Sequence, residues 1–223
     1  MKASVKLLAL AAMLAVSGGA SAQSKGQLTA KISINEITPH VTSGNVTAPA
    51  LPNSKADVGS AIRPNFVLAY GLTDNISAQL DLGVPYKHTI YGAGSLEGMG
   101  ALGSVAALPP TAFIQYRFFK PEATIRPYVG LGLTAAVFRH ATGSGQLTAV
   151  TNIGSSVPTT FKIKNKLAGT AQAGIVFNLN EKYYFDMAYT KTKLKTKVTF
   201  STGQTQDMQL DPSSFSIGIG RKF

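Results

Sequence analysis

Phe215-Ser216-Ile217-Gly218-Ile219-Gly220-Arg221-Lys222-Phe223 alternates large apolar residues with very small ones and finishes on an aromatic. As an extended segment it has one apolar face and one face almost bare of side chains. A strand with lipid on one side and a lumen on the other has this pattern. It is therefore read as the closing strand of a transmembrane β-barrel.

Working back from this segment, the period of two recurs in seven earlier ladders. They are led by Leu28, Phe66, Ala78, Ala112, Val129, Ala171 and Tyr183. Short turns such as Thr73-Asp74-Asn75 and residues 178–181 alternate with long segments near residues 40–60, 91–108 and 141–165. The expectation is an all-β fold. It is an eight-stranded antiparallel transmembrane β-barrel with short periplasmic turns and long extracellular loops, and both termini lie at the periplasmic end. The alternative is a soluble barrel or sandwich with the apolar face turned inward. The other face argues against it: the residues opposite the ladders are small or charged, and eight strands leave room inside for only a limited lumen.

The N-terminal residues read as an export signal. Lys2 and Lys6 precede an apolar run from Leu7 to Val16, and Ala20-Ser21-Ala22 forms a small-residue cleavage site. Residues 1–22 are assigned to the signal peptide and 23–223 to the barrel. Losing Lys2 and Lys6 lowers the formal charge from +11 to +9. The chain has no cysteine, so neither a disulfide nor thiol chemistry is available. Charged residues are only 14% of the chain, which argues against nucleic acid as a partner. No cofactor and no metal site is indicated.

If the ladders face lipid, the intervening residues line the lumen. Near the short turns these are Lys31, Gln79, Asp81, Gln115, Arg117, Gln172, Asp186 and Lys222. In a narrow barrel these charges and amides must pair, since an unpartnered buried charge is costly. They form either a polar plug or simply the filling of a small barrel. Toward the long loops the inward residues are Ile37, Pro85, Phe113, Phe138, Leu194 and Leu210, an apolar lumen suited to small hydrophobic solutes. The glycine-rich stretch around Gly92, Gly94, Gly98, Gly100 and Gly103 carries Leu96, Met99 and Leu102. It is either an apolar lid or a surface loop. Pro39, Pro64 and Pro85 each remove a ladder hydrogen bond, and either weaken a seam in the wall or mark strand ends.

Lys191, Lys193, Lys195 and Lys197 continue the outer face of the seventh ladder. Each would cost about 2–4 kcal/mol at mid-bilayer, so they belong above the hydrocarbon. There they either contact anionic glycolipid, lipopolysaccharide among the outer-membrane lipids, or block edge pairing. Tyr70, Tyr116, Phe118, Tyr183 and Phe223 are expected in the inner aromatic girdle, with Tyr86 and Tyr189 in the outer one.

Several strings, taken together, resemble the OmpW family of outer-membrane proteins. They are residues 70–76 (YGLTDNI), 85–88 (PYKH), 108–111 (LPPT), 115–118 (QYRF), 126–132 (RPYVGLG), 171–174 (AQAG) and 210–212 (LDP). Order and spacing are similar from Leu28 to Phe223. The resemblance implies an eight-stranded outer-membrane barrel with a narrow hydrophobic channel that helps small hydrophobic molecules cross. Arg221 departs from the aromatic usual near the end of the family, a point bearing on recognition by the barrel-assembly machinery. Residues 141–158 are rich in Thr, Gly and Ser, so no loop-borne ligand preference carries over.

The expected function is a passive conduit or binding cavity for small hydrophobic molecules, closed below by the plug and with a lateral exit. The competing reading is a structural or surface-interaction barrel with an inert lumen. A lipid-acting enzyme would need a nucleophile, a base and an orienting group. His40, His88 and His140 are the histidines, and no triad spacing surrounds them.

Overall fold

The computed structural model describes residues 24–223; the signal peptide expected at 1–22 lies outside the described residues. In chain order the strands are β1 (Leu28–Thr38), β2 (Thr42–Ser43), β3 (Ser54–Val58), β4 (Ala61–Gly71), β5 (Ile76–Gly83), β6 (Tyr86–Gly94), β7 (Ala101–Leu108), β8 (Thr111–Arg117) and β9 (Ile125–Gly143). A short helix, α1 (Gly145–Thr151), precedes β10 (Phe161–Ile163), β11 (Lys166–Asn178), β12 (Tyr183–Lys193), β13 (Lys195–Phe200), β14 (Thr205–Gln209) and β15 (Ser213–Lys222).

β1, β4, β5, β8, β9, β11, β12 and β15 form the wall, each antiparallel to the next. The wall closes where β15 pairs with β1 from Thr29↔Lys222 to Thr38↔Ser213. The eight-stranded barrel read from the ladders is thus the fold. Its polarity is inverted relative to a soluble protein. Leu131 is 74% exposed and Ile32 61%, whereas Gln115 and Arg126 are wholly buried. Apolar groups on the outside and polar groups on the inside match a hydrocarbon solvent.

The segments expected as long loops carry further short strands. β3, β6 and β7 extend the wall upward and join the upper half of β9. β2, β14, β13 and β10 form a separate four-stranded sheet above the other side. Between these two sheets lies an apolar core that includes Leu96, Leu102, Leu147, Phe161, Phe200 and Met208. At the opposite end, small residues make space for rings. A Cβ at Gly220 would collide with the Tyr184 ring, and one at Gly174 with the Tyr128 ring. The glycines facing inward on β11 and β15 thus admit two phenols that fill the narrow lumen.

Leu131→Arg is expected to lower unfolding stability in lipid vesicles by about 2–4 kcal/mol. The check is reversible denaturation of the reconstituted protein, and an unchanged midpoint would contradict the outward placement of this face.

Candidate functional site: a layered lumen with an interrupted wall

The lowest layer of the lumen is ionic. Lys31 forms a buried ion pair with Asp186, whose second oxygen accepts from the Tyr128 hydroxyl at 3.0 Å. Gln79 Nε2 donates to Asp81 Oδ1 at 2.7 Å. Gln115 Nε2 donates to Gln79 Oε1 (2.8 Å) and Gln172 Oε1 (2.6 Å). Arg117 donates to Ser77 Oγ (3.1 Å) and Gln115 Oε1 (2.9 Å), and its guanidinium carbon lies 5.1 Å from the Tyr128 ring centre. Seven of the eight residues read as the plug are therefore linked here directly or lie among these partners. Lys222 is buried too but donates to the Asn180 carbonyl near the turn, at 3.0 Å. Tyr128, Tyr184 and Arg126 complete the layer without having been singled out. Arg126 Nη2 reaches the Asp74 carbonyl at 2.7 Å and so ties one periplasmic turn to another.

Above this layer is a cavity of about 120 Å³. Ile37, Phe113, Phe138, Leu194 and Leu210 line it as expected. Pro85 does not; it is exposed on the outer surface, and Tyr86 occupies the inward position instead, with its hydroxyl accepting from Asn35 Nδ2 at 2.8 Å. The reason is a slip in phase. Gly83 lines the lumen, and the next lining residue is Tyr86, three positions on rather than two. Tyr86 therefore leaves the outer aromatic girdle assigned to it. His88, Ile90, Val105 and Met208 also line the cavity; Val105 lies in a segment read as a loop, and His88, Ile90 and Met208 fall between the ladders and the loops. Leu96 and Leu102 are buried over the cavity in the upper core, with Met99 packed against them.

The wall beside the cavity is incomplete. The β4–β5 ladder ends at Asn65↔Gly83. Backbone bonding resumes at Gly59 N–H to Thr89 O, 2.9 Å, followed by the Val58↔Ile90 pair of β3 and β6. Among the described residues no backbone hydrogen bond joins residues 60–64 to 84–88. Pro64 and Pro85 sit within this interval and have no N–H to donate. Pro39, by contrast, faces the cavity.

The four lysines read as glycolipid contacts divide. Lys193, Lys195 and Lys197 are exposed on the outer face; Lys197 pairs with Asp207 at 3.4 Å. Lys191 is half-buried and donates to the Asp211 carbonyl at 2.7 Å. Lys164 adds a neighbouring cation, since its N–H bonds to Lys197 O at 3.0 Å across β10 and β13. The histidines are not brought together. His40 contacts Ser213 Oγ (2.7 Å), His88 the Gly59 carbonyl (2.7 Å), and His140 is exposed.

The sequence matches the OmpW family over residues 24–223. It is 29% identical to outer membrane protein W of Vibrio cholerae over 227 residues, with both chains covered in full. It is 28% identical to outer membrane protein AlkL of Ectopseudomonas oleovorans over 182 residues, covering 80% of this chain and 74% of the relative. The crystal structure of OprG from Pseudomonas aeruginosa superposes with a TM-score of 0.80 at 24% identity, covering 90% of this chain and 97% of OprG.

Lys31→Met is expected to destabilise the barrel by about 3–5 kcal/mol, because Asp186 would lose its buried counter-charge. Adding Asp186→Leu should recover most of that loss. Urea titrations of the three proteins check this, and additive losses would show that the pair is not coupled.

Proposed function

The chain belongs to the OmpW family of outer-membrane proteins, and from that premise we propose that it conducts small hydrophobic molecules from the outer surface into the membrane. The observation that carries this reading is the position of the largely apolar cavity. It lies above the ionic layer and beside the unbonded interval between residues 60–64 and 84–88. Downward movement would require a greasy solute to displace charge-assisted hydrogen bonds, each stronger than a neutral one. Sideways movement meets only side chains, because the wall carries no ladder bonds there. The plug blocks the periplasmic route and the interrupted wall is the lateral exit.

Other partners follow from the surface. Lys193, Lys195 and Lys197 present ammonium groups above the lipid-facing ladders and suit the phosphates of lipopolysaccharide. The C-terminal strand β15 is the segment offered to the barrel-assembly machinery.

Uptake of a dye-labelled hydrophobe into vesicles should rise when the protein is reconstituted. Bridging Arg63→Cys to Pro85→Cys with a short thiol crosslinker across the interrupted wall should return uptake to the protein-free rate. Uptake unchanged by the bridge would eliminate the lateral route, and no uptake without it would favour the inert structural barrel. Separately, replacing Lys193, Lys195 and Lys197 with Gln should weaken retention of phosphorylated glycolipid by about fivefold per lysine. Native mass spectrometry after detergent extraction reads this directly; equal retention would remove the lysines from lipid binding.

A further inference from the structure

Between the ionic layer and the apolar cavity runs a belt of hydroxyls on four adjacent strands. Thr111 Oγ1 lies 2.8 Å from Thr134 Oγ1, Thr134 lies 2.5 Å from Thr170, and Thr170 lies 2.9 Å from Thr192. All four line the cavity, on β8, β9, β11 and β12. At its end, Thr111 Oγ1 also bonds the Pro109 carbonyl at 3.1 Å. A carbonyl can only accept, so the Thr111 proton goes to Pro109. A hydroxyl has one proton. Thr111 must then accept from Thr134, Thr134 from Thr170, and Thr170 from Thr192. The opposite direction would leave Pro109 without this bond and makes one hydrogen bond fewer, so the first direction is favoured.

This ordering has a chemical result. Every belt proton is committed along the wall, and the belt offers the lumen only oxygen lone pairs. Gln172 lies one inward position below Thr170 and gives its carbonyl oxygen to Gln115, so its amide nitrogen is the nearby donor. A head group that both donates and accepts satisfies the belt and the amide together. An ether or ketone leaves the belt unmet, and a hydrocarbon leaves both unmet.

We propose that the threonine belt makes the cavity selective for apolar molecules carrying a hydroxyl donor, alcohols and phenols, over ethers and hydrocarbons of equal size. The proposal rests on the conduit reading and names the solute class that the conduit takes. Thr111 fixes the proton direction through Pro109, and Thr134, Thr170 and Thr192 transmit it across the wall.

Two isomeric probes, p-cresol and anisole, test it because they match in size and differ in the O–H. Binding is measured by calorimetry on the protein in lipid nanodiscs, with empty nanodiscs subtracted for membrane partition. The wild-type protein should favour p-cresol by about fivefold, the worth of one net hydrogen bond. Thr170→Val keeps the shape and breaks the chain at its middle. The Thr192 proton then loses its acceptor and turns to the lumen, where either probe's oxygen can accept it, so the preference for p-cresol should fall. Thr134→Ser keeps the hydroxyl and should keep the preference. Thr111→Val frees the Thr134 proton in the same way and replaces Thr170→Val if that variant does not assemble. Equal binding of both probes to wild type, or a preference undiminished by Thr170→Val, overturns the selectivity and leaves the conduit standing. Binding of neither probe overturns both.

Discussion

Hydrocarbon offers no hydrogen bonds to a backbone, and the rest of this structure depends on that constraint. Every N–H and C=O at membrane depth must find its partner within the protein, which a closed antiparallel cylinder achieves. The β15–β1 pairing supplies the closure between distant parts of the chain. Once the cylinder is closed, side-chain polarity follows from the pleat. Residues one apart see opposite solvents, so Ile217 and Ile219 meet lipid while Ser216, Gly218 and Gly220 meet the lumen. A long lapse between residues 60–64 and 84–88 lies toward the extracellular end, beside the cavity. It falls where two prolines could not have donated anyway, so part of the lost bonding is intrinsic to the residues chosen.

The narrow lumen then acts as a stack of three chemistries. At the bottom, charges are neutralised in place by Asp186, Lys31 and the amide chain of Gln79, Gln115 and Gln172. Such groups stay ionised inside a barrel only when their partners are fixed, and the Tyr128 and Tyr184 rings fix them by filling the remaining volume. Two glycines permit those rings, each on the strand next to the ring it faces. In the middle, threonine hydroxyls bond to one another around the wall. At the top, Ile90, Val105 and Met208 join the residues expected from sequence. Polarity falls steadily with height, so an apolar solute that enters from above meets an increasing desolvation cost as it descends.

The barrel wall was legible because a period of two is written residue by residue and no other fold explains it in eight places. The inward set was legible by the same parity, which is why Lys31, Gln115, Phe113 and Leu194 all lie inside. Parity fails where the strand is not continuous. Gly83-Val84-Pro85 inserts a step that alternation cannot register, so Pro85 and Tyr86 exchange faces. β3, β7 and the end of β6 lie in segments that read as loop; β7 is placed by pairing with β9, β6 by pairing with β7, and β3 by pairing with β6. Tyr128 and Tyr184 could have been found. Both have inward parity, and each faces a small residue on an adjacent strand, Tyr128 opposite Gly174 and Tyr184 opposite Gly220.

The upper core and the interrupted wall are mechanically related. Ile90 belongs to the packed core above the cavity and also lines the cavity, and it pairs with Val58 at the upper edge of the interval. Separating the two upper sheets, as the proposed route requires, would therefore pull on the strand pair that bounds the unbonded interval. A fully laddered wall would resist that strain through many backbone bonds at once. Here the strain reaches residues 60–64 and 84–88, which share no backbone bonds to break. The lower barrel, laced by continuous ladders and the ionic layer, remains a rigid base. The unbonded interval therefore lies at the height of the proposed exit, and Pro64 and Pro85 both fall within it.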